Sequence, residues 1–191
     1  MLLVPLSLLS TMLVGGLSLA PHSAIANSVA VNAKLSSSQV RELRSLGIEI
    51  LVPTDIGRDF RVVKLDLSRD SRFGPGYDIL YKNSQNVCFT MSSTKGGIGG
   101  PAFEFSRQVK NERLGATSIL FGDAVVNAPR KPSDKELDRT YTTLYTAWIR
   151  PIGQTSGNFY SFASFVNPKL GCQSSVTPRR AIGYFQSIRS L

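Results

Sequence analysis

The sequence is almost without histidine, since its 191 residues contain only His22. Residues 1–33 also lack Asp, Glu, Lys and Arg, and an apolar run there is followed by the small residues Ala24 and Ala26. This pattern predicts a signal peptide over residues 1–26, cleaved after Ala26. The alternative is an uncleaved membrane anchor, since about 20 apolar residues span a bilayer.

Cleavage after Ala26 removes the one histidine. The remaining chain then has no histidine base, no Ser–His–Asp or Cys–His catalytic group, and no histidine-ligated metal. Its two cysteines are too few for a zinc site made of cysteines alone. The sequence therefore predicts a non-enzymatic protein without metal or cofactor.

Cysteine is scarce as well, with Cys88 and Cys172 the only two. Two cysteines in an exported protein usually pair, which predicts a disulfide. The absence of a Cys-x-x-Cys motif argues against a redox-active pair. The other alternative is that both thiols are free or bonded to another chain.

The remaining sequence predicts one α+β domain over residues 36–191, preceded by a flexible connector over residues 27–35. Apolar and polar residues alternate from about residue 61 to residue 166, which is typical of strands. Helix signals stand before and after this region. We therefore expect an antiparallel β-sheet meander flanked by a short N-terminal helix and a C-terminal helix.

Each expected helix has its own end signals. Ser36 and Gln39 have the spacing of a capping box, and Gly47 is placed to end that helix in a left-handed conformation. Near the C-terminus, Thr177 is a candidate N-cap and Pro178 a candidate first helical residue. Its apolar stripe, which we expect to dock on the sheet, comprises Ala181, Ile182, Phe185 and Ile188.

A glycine-rich segment is the most distinctive local motif. Gly97, Gly99 and Ala102 match a dinucleotide-binding fingerprint, but strand-like alternation follows where that fingerprint needs a helix. One interpretation is a hairpin loop packed under a neighbour. The other is a nest of backbone N–H groups that binds an anion or a carbohydrate. The candidate anion-binding residues are Lys95, Gly96, Gly97, Gly99, Gly100 and Arg107.

Positive charge is in excess, with 22 Lys and Arg against 13 Asp and Glu, a net charge of +9. A mixed, solvated surface is the simplest interpretation, but the excess favours an acidic partner such as an envelope glycan, lipid head groups or a protein. No motif indicates nucleic acid or nucleotide binding. The carboxylates include no distinct pair of the kind that a glycosidase uses, because each close set has Arg or Lys beside it.

Several short motifs resemble those of small exported cyanobacterial proteins of unknown function. They are the apolar leader, Val52-Pro53-Thr54 with Phe60-Arg61-Val62, the segment 77–82, and Gly96 to Pro101. The resemblance implies no activity. It implies a location in the periplasm, outside the cell, or in the thylakoid lumen.

These observations predict an exported, non-enzymatic binding or accessory module with a basic surface and an acidic partner. One alternative is an accessory or assembly subunit of a membrane complex. A hydrolase that works without histidine is the other.

Overall fold

The computed structural model describes residues 22–69, 72–96, 99–125 and 127–191, with side chains from residue 27 onward. Most of the predicted signal peptide lies outside these residues, so its cleavage stays a prediction. The described chain is mostly antiparallel β-sheet with a few short helices. Within it, no helix is both long enough and apolar enough to cross a membrane.

The described residues form ten strands and four α-helices. The strands are β1 (Leu51–Pro53), β2 (Arg61–Ser68), β3 (Gly76–Lys82), β4 (Val87–Thr94), β5 (Phe103–Asn111), β6 (Gly115–Ala124), β7 (Thr143–Thr146), β8 (Phe159–Phe165), β9 (Ser174–Ser175) and β10 (Ile188–Ser190). The helices are α1 (His22–Asn32), α2 (Ser37–Arg44), α3 (Asp134–Leu137) and α4 (Pro178–Gln186), with a 3-10 turn at Pro168–Leu170.

The large sheet has the strand order β2-β3-β4-β8-β7-β6-β5, with every neighbouring pair antiparallel. The short strand β9 adds to β4 in parallel, and β1 pairs with β10 in a separate two-stranded sheet. The structure therefore differs from the expected single meander. It has two antiparallel runs, β2-β3-β4 and β5-β6-β7-β8, which join where β8 pairs with β4. This pairing leaves β2 and β5 as the outer strands.

One face of the large sheet is covered and holds the core. Phe89 on β4 and Phe162 on β8 lie there, with ring centroids 5.1 and 6.4 Å from that of Tyr184 on α4. Leu43 of α2 and Phe185 of α4 belong to the same buried cluster. We call the other side of the sheet the open face. One row across it consists of Leu80, Thr90, Ala163, Tyr145 and Leu120.

Local signals set the helix ends. The Ser36 hydroxyl accepts a hydrogen bond from the Gln39 backbone N–H, and the Gln39 side chain accepts one from the Ser36 N–H, so the predicted capping box is present. Gly47 has a φ of +66°, the left-handed conformation expected after this helix. Thr177 caps α4, whose first residue is Pro178.

The segment expected to be a flexible connector is partly helical. Helix α1 continues to Asn32, and the side chains of Val29, Ala33 and Leu35 are buried in the main core. Small residues made this segment look loosely structured in sequence. Burial of its few apolar side chains against the domain outweighs that weak local preference.

The cysteine prediction is confirmed, because Cys88 on β4 and Cys172 before β9 form a disulfide. Their Cα atoms are 5.5 Å apart. Both residues are fully buried, in a small cluster with Leu80 and Leu170 that is separate from the main core. The disulfide thus joins β4 to the segment that leads into α4.

Buried tyrosine hydroxyls connect the large sheet to the chain around β1. The Tyr77 hydroxyl donates to the Leu51 carbonyl and accepts from the Leu51 N–H, at 2.8 and 2.9 Å. The Tyr160 hydroxyl donates to the Glu49 carbonyl at 2.7 Å. Burial raises the pKa of Tyr160 to about 12 and raises that of Tyr77 well above its ordinary value.

These pKa values predict alkaline instability. The unfolded chain releases tyrosine protons near pH 10, whereas folded Tyr160 retains its proton to about pH 12. The stabilising contribution of Tyr160 is therefore complete below pH 10 and is lost as the pH rises to 12. We expect urea denaturation to show this fall, and Tyr160→Phe to reduce it. Parallel pH profiles for the two proteins between pH 10 and 12 would contradict the assignment.

Candidate functional site

The glycine-rich loop folds onto the open face. The Tyr145 hydroxyl on β7 donates to the Pro101 carbonyl and holds the loop against the sheet. A Cβ atom on Gly100 would lie only 2.5 Å from that hydroxyl oxygen, so a larger residue there would displace the Tyr145 hydroxyl. Gly100 thus packs closely against a neighbour, but the segment is not the hairpin loop that this interpretation expected, because the strands β4 and β5 that it connects do not pair with each other.

The loop also forms one wall of an apolar pocket of about 290 Å³. Its lining residues are Gly99, Gly100, Pro101, Leu120, Tyr145, Ala147 and Trp148. No charged side chain is among them. This pocket has the composition for an uncharged or aromatic group rather than for an anion.

The candidate anion-binding residues lie in three different places. Gly99 and Gly100 line the apolar pocket, and Gly97 lies outside the described residues. Lys95 lies at the end of β4, where its backbone N–H donates to the Phe73 carbonyl, and the neighbouring Gly96 faces the Phe73 ring. Arg107 lies on β5 and lines another pocket.

That other pocket is a groove of about 550 Å³ along the outer edge of β5. Its lining residues, which we call the β5 groove, are Ser106, Arg107, Gln108, Pro129 and Lys131. They supply two cations, one hydroxyl and one amide, and no carboxylate. Such a set favours an anionic ligand.

The groove forms because a segment after β6 returns to the edge of β5. Arg130 forms a parallel bridge with Phe105: its N–H donates to the Glu104 carbonyl at 2.9 Å, and its carbonyl accepts from the Ser106 N–H at 3.0 Å. Its guanidinium lies over the Phe105 ring, 4.0 Å from the centroid. These contacts place the next residue, Lys131, beside Arg107 in the groove.

Arg130 itself is neutralised by two carboxylates. It forms ion pairs with Glu104 at 2.8 Å and with Glu136 at 2.9 Å. The hydrogen bond to Glu104 is the main cause of a raised pKa at Arg130. Hydrogen bonding by the Ser133 N–H is the main cause of a lowered pKa at Glu136. Arg130 therefore has a structural role, and its charge is not available to a ligand.

The two groove cations differ from Arg130 in this respect. Neither Arg107 nor Lys131 has an ion pair with a carboxylate of the described chain. Other arginines are paired within the domain, as in Arg113 with Glu49 at 2.6 Å. The β5 groove is thus a place where positive charge is left without an internal partner.

The sequence groups Arg107 with the glycine-rich segment, whereas Lys131 stands in the segment 128–135, which contains three basic residues and two prolines. The sequence signal that could connect Arg107 with Lys131 is weak, because residues 130 and 131 have no strand-like alternation and stand between two prolines. In the described residues, no group of three or more His, Cys, Asp or Glu side chains is placed to bind a metal. No protein-family model, curated protein or solved structure matches this chain.

Proposed function

We propose that the protein is an exported, non-enzymatic α+β binding or accessory module that holds an acidic partner in the β5 groove. Helices α2 and α4 contribute residues to the core, and the strand order places β5 at an edge of the large sheet. The function consists of charge and hydrogen-bond recognition and includes no covalent step. The disulfide supports an oxidising location such as the periplasm, the cell exterior or the thylakoid lumen.

One observation carries this proposal. The β5 groove brings Arg107 and Lys131 together without a carboxylate, although the chain supplies 13 acidic residues. Several of these acids lie beside other cations instead, as Asp134 and Asp138 lie beside Arg179. A partner that brings its own carboxylates or phosphates would satisfy the two groove cations.

The test is a double substitution, Arg107→Gln with Lys131→Gln, in the disulfide-bonded protein. We expect its affinity for poly-L-glutamate, measured by fluorescence anisotropy, to fall about tenfold, because each exposed ion pair contributes up to about 1 kcal/mol. Binding by the unmodified protein should also weaken as salt is raised to about 0.5 M, where charges are screened within a few ångströms.

The matched control is Arg41→Gln with Lys169→Gln. It removes one arginine and one lysine, both exposed and neither ion-paired to a described carboxylate, so the net charge changes equally. We expect less than a twofold change in affinity for this control. Equal losses in the two double variants would show that only net charge matters, and would overturn the groove as the site.

A further inference from the structure

Strand β5 is at the edge of the sheet and is only partly covered. The Ser106 N–H points outward, since it donates to the Arg130 carbonyl. Outward backbone groups recur every second residue, so Gln108 and Lys110 also present their N–H and C=O groups to the outside. Within the described chain, the covering segment makes no backbone hydrogen bond to either of them.

Three cations lie beside this free edge, on both sides of the sheet, and the acidic Glu112 that follows β5 is ion-paired to Arg189 at 3.8 Å. Arg107 follows Phe105 on the covered face, and Lys110 lies on the open face, because strand side chains alternate. Lys131 stands where the covering segment ends. The other outer strand, β2, differs because its Lys64 is ion-paired to Asp66 at 2.6 Å.

The positive charge of this edge favours some kinds of binding partner over others. A second copy of the chain would bring like charges together, which is unfavourable. A glycan or a lipid head group would satisfy the cations but has no backbone to pair with Gln108 and Lys110. An extended acidic peptide satisfies both, because its amides continue the sheet and its carboxylates meet cations on both faces.

We propose that an extended, acidic peptide segment of a partner protein adds to β5 as a new strand. The added strand begins where the backbone pairing of Arg130 with β5 ends, and it runs alongside Gln108 and Lys110. This inference rests on the proposed function and narrows its acidic partner to a peptide. Main-chain hydrogen bonds supply the affinity, and Arg107, Lys110 and Lys131 supply the selectivity for glutamate and aspartate.

The test removes one outward backbone donor. Gln108→Pro deletes the N–H that the partner strand would use, at an edge position where proline is tolerated. Gln108→Ala is the matched control, because it removes the same side chain and keeps the N–H. The probes are a glutamate-rich peptide of about eight residues and an oligogalacturonate of similar charge.

We expect Gln108→Pro to bind the peptide about tenfold more weakly than Gln108→Ala does, because the two variants lack the same amide and differ in the backbone N–H. Oligogalacturonate, which has no backbone to pair, should bind the two variants equally. N-methylation of alternate residues of the peptide can block the N–H groups that would face β5. A peptide methylated in that register should bind the unmodified protein more weakly than the unmethylated peptide does. This last measurement needs no variant, so it holds even if Gln108→Pro does not fold.

The outcomes separate the two proposals. If N-methylation and Gln108→Pro leave peptide binding unchanged while Arg107→Gln with Lys131→Gln weakens both probes, strand addition is wrong and the acidic-partner function stands. If neither probe binds, both proposals fail. Self-association of the unmodified protein that is abolished by Gln108→Pro would identify a second copy as the occupant and overturn the peptide.

Discussion

Replacing Cys88 and Cys172 with alanine is expected to lower the free energy of unfolding by about 4.5 kcal/mol. The disulfide closes a loop of 84 residues, and the entropy that it removes from the unfolded chain grows with the length of that loop. A loss of this size exceeds a quarter of the stability of most domains. Urea denaturation of the variant and the unmodified protein measures it.

Two controls separate the cross-link from the packing of the sulfur atoms. Reducing the unmodified protein breaks the same bond and leaves Cys88 and Cys172 in place, so it should give most of the same loss. Non-reducing mass spectrometry of the native protein should find a mass lower by two hydrogens. A loss below about 1 kcal/mol on reduction would contradict the stabilising role.

Phe89→Ala is expected to cost about 3 to 5 kcal/mol, the usual range for removing a fully buried phenylalanine. Its ring centroid is 4.6 Å from that of Tyr81 and 5.1 to 5.2 Å from those of Phe60, Tyr184 and Phe162. The substitution therefore opens a cavity where the sheet, α4 and the segment before β2 meet. Urea denaturation should show a lower midpoint with a similar slope.

The matched control is Phe73→Ala, because Phe73 is the same residue type but 40% exposed. We expect it to cost less than about 1.5 kcal/mol, since removing an exposed ring leaves no closed cavity. Similar losses for the two variants would contradict the placement of Phe89 at the centre of the core.

Local patterns predicted much of the secondary structure. Tyr77, Ile79 and Tyr81 alternate, and all three are buried. Ser36 and Gly47 mark the ends of α2 as expected. These features depend on neighbouring residues alone, so a sequence displays them directly.

Other features depend on pairing between distant residues. Strand β7 is short, Thr143–Thr146, and at its end the Thr146 hydroxyl accepts the Phe162 N–H at 2.9 Å in place of a backbone carbonyl. The pairing of β8 with β4 likewise has no local signal.

The candidate site was harder to predict than the fold for the same reason. Arg107 and Lys131 are 24 positions apart in the sequence and come together only because Arg130 pairs with the edge of β5. In the sequence, Lys131 is one cation of a basic, proline-flanked segment. Lys131 is a candidate binding residue because no carboxylate neutralises it. The ion pairs that decide this are seen only in the folded chain.

The most direct test of the acidic-partner account is amide chemical-shift mapping by NMR, with poly-L-glutamate titrated into the disulfide-bonded protein. If the β5 groove holds the acidic partner, the largest changes occur over residues 106–110 and 129–131, and they disappear in the variant with Arg107→Gln and Lys131→Gln. Largest changes at Arg41 and Arg44 on α2, or changes that persist in that variant, would contradict it.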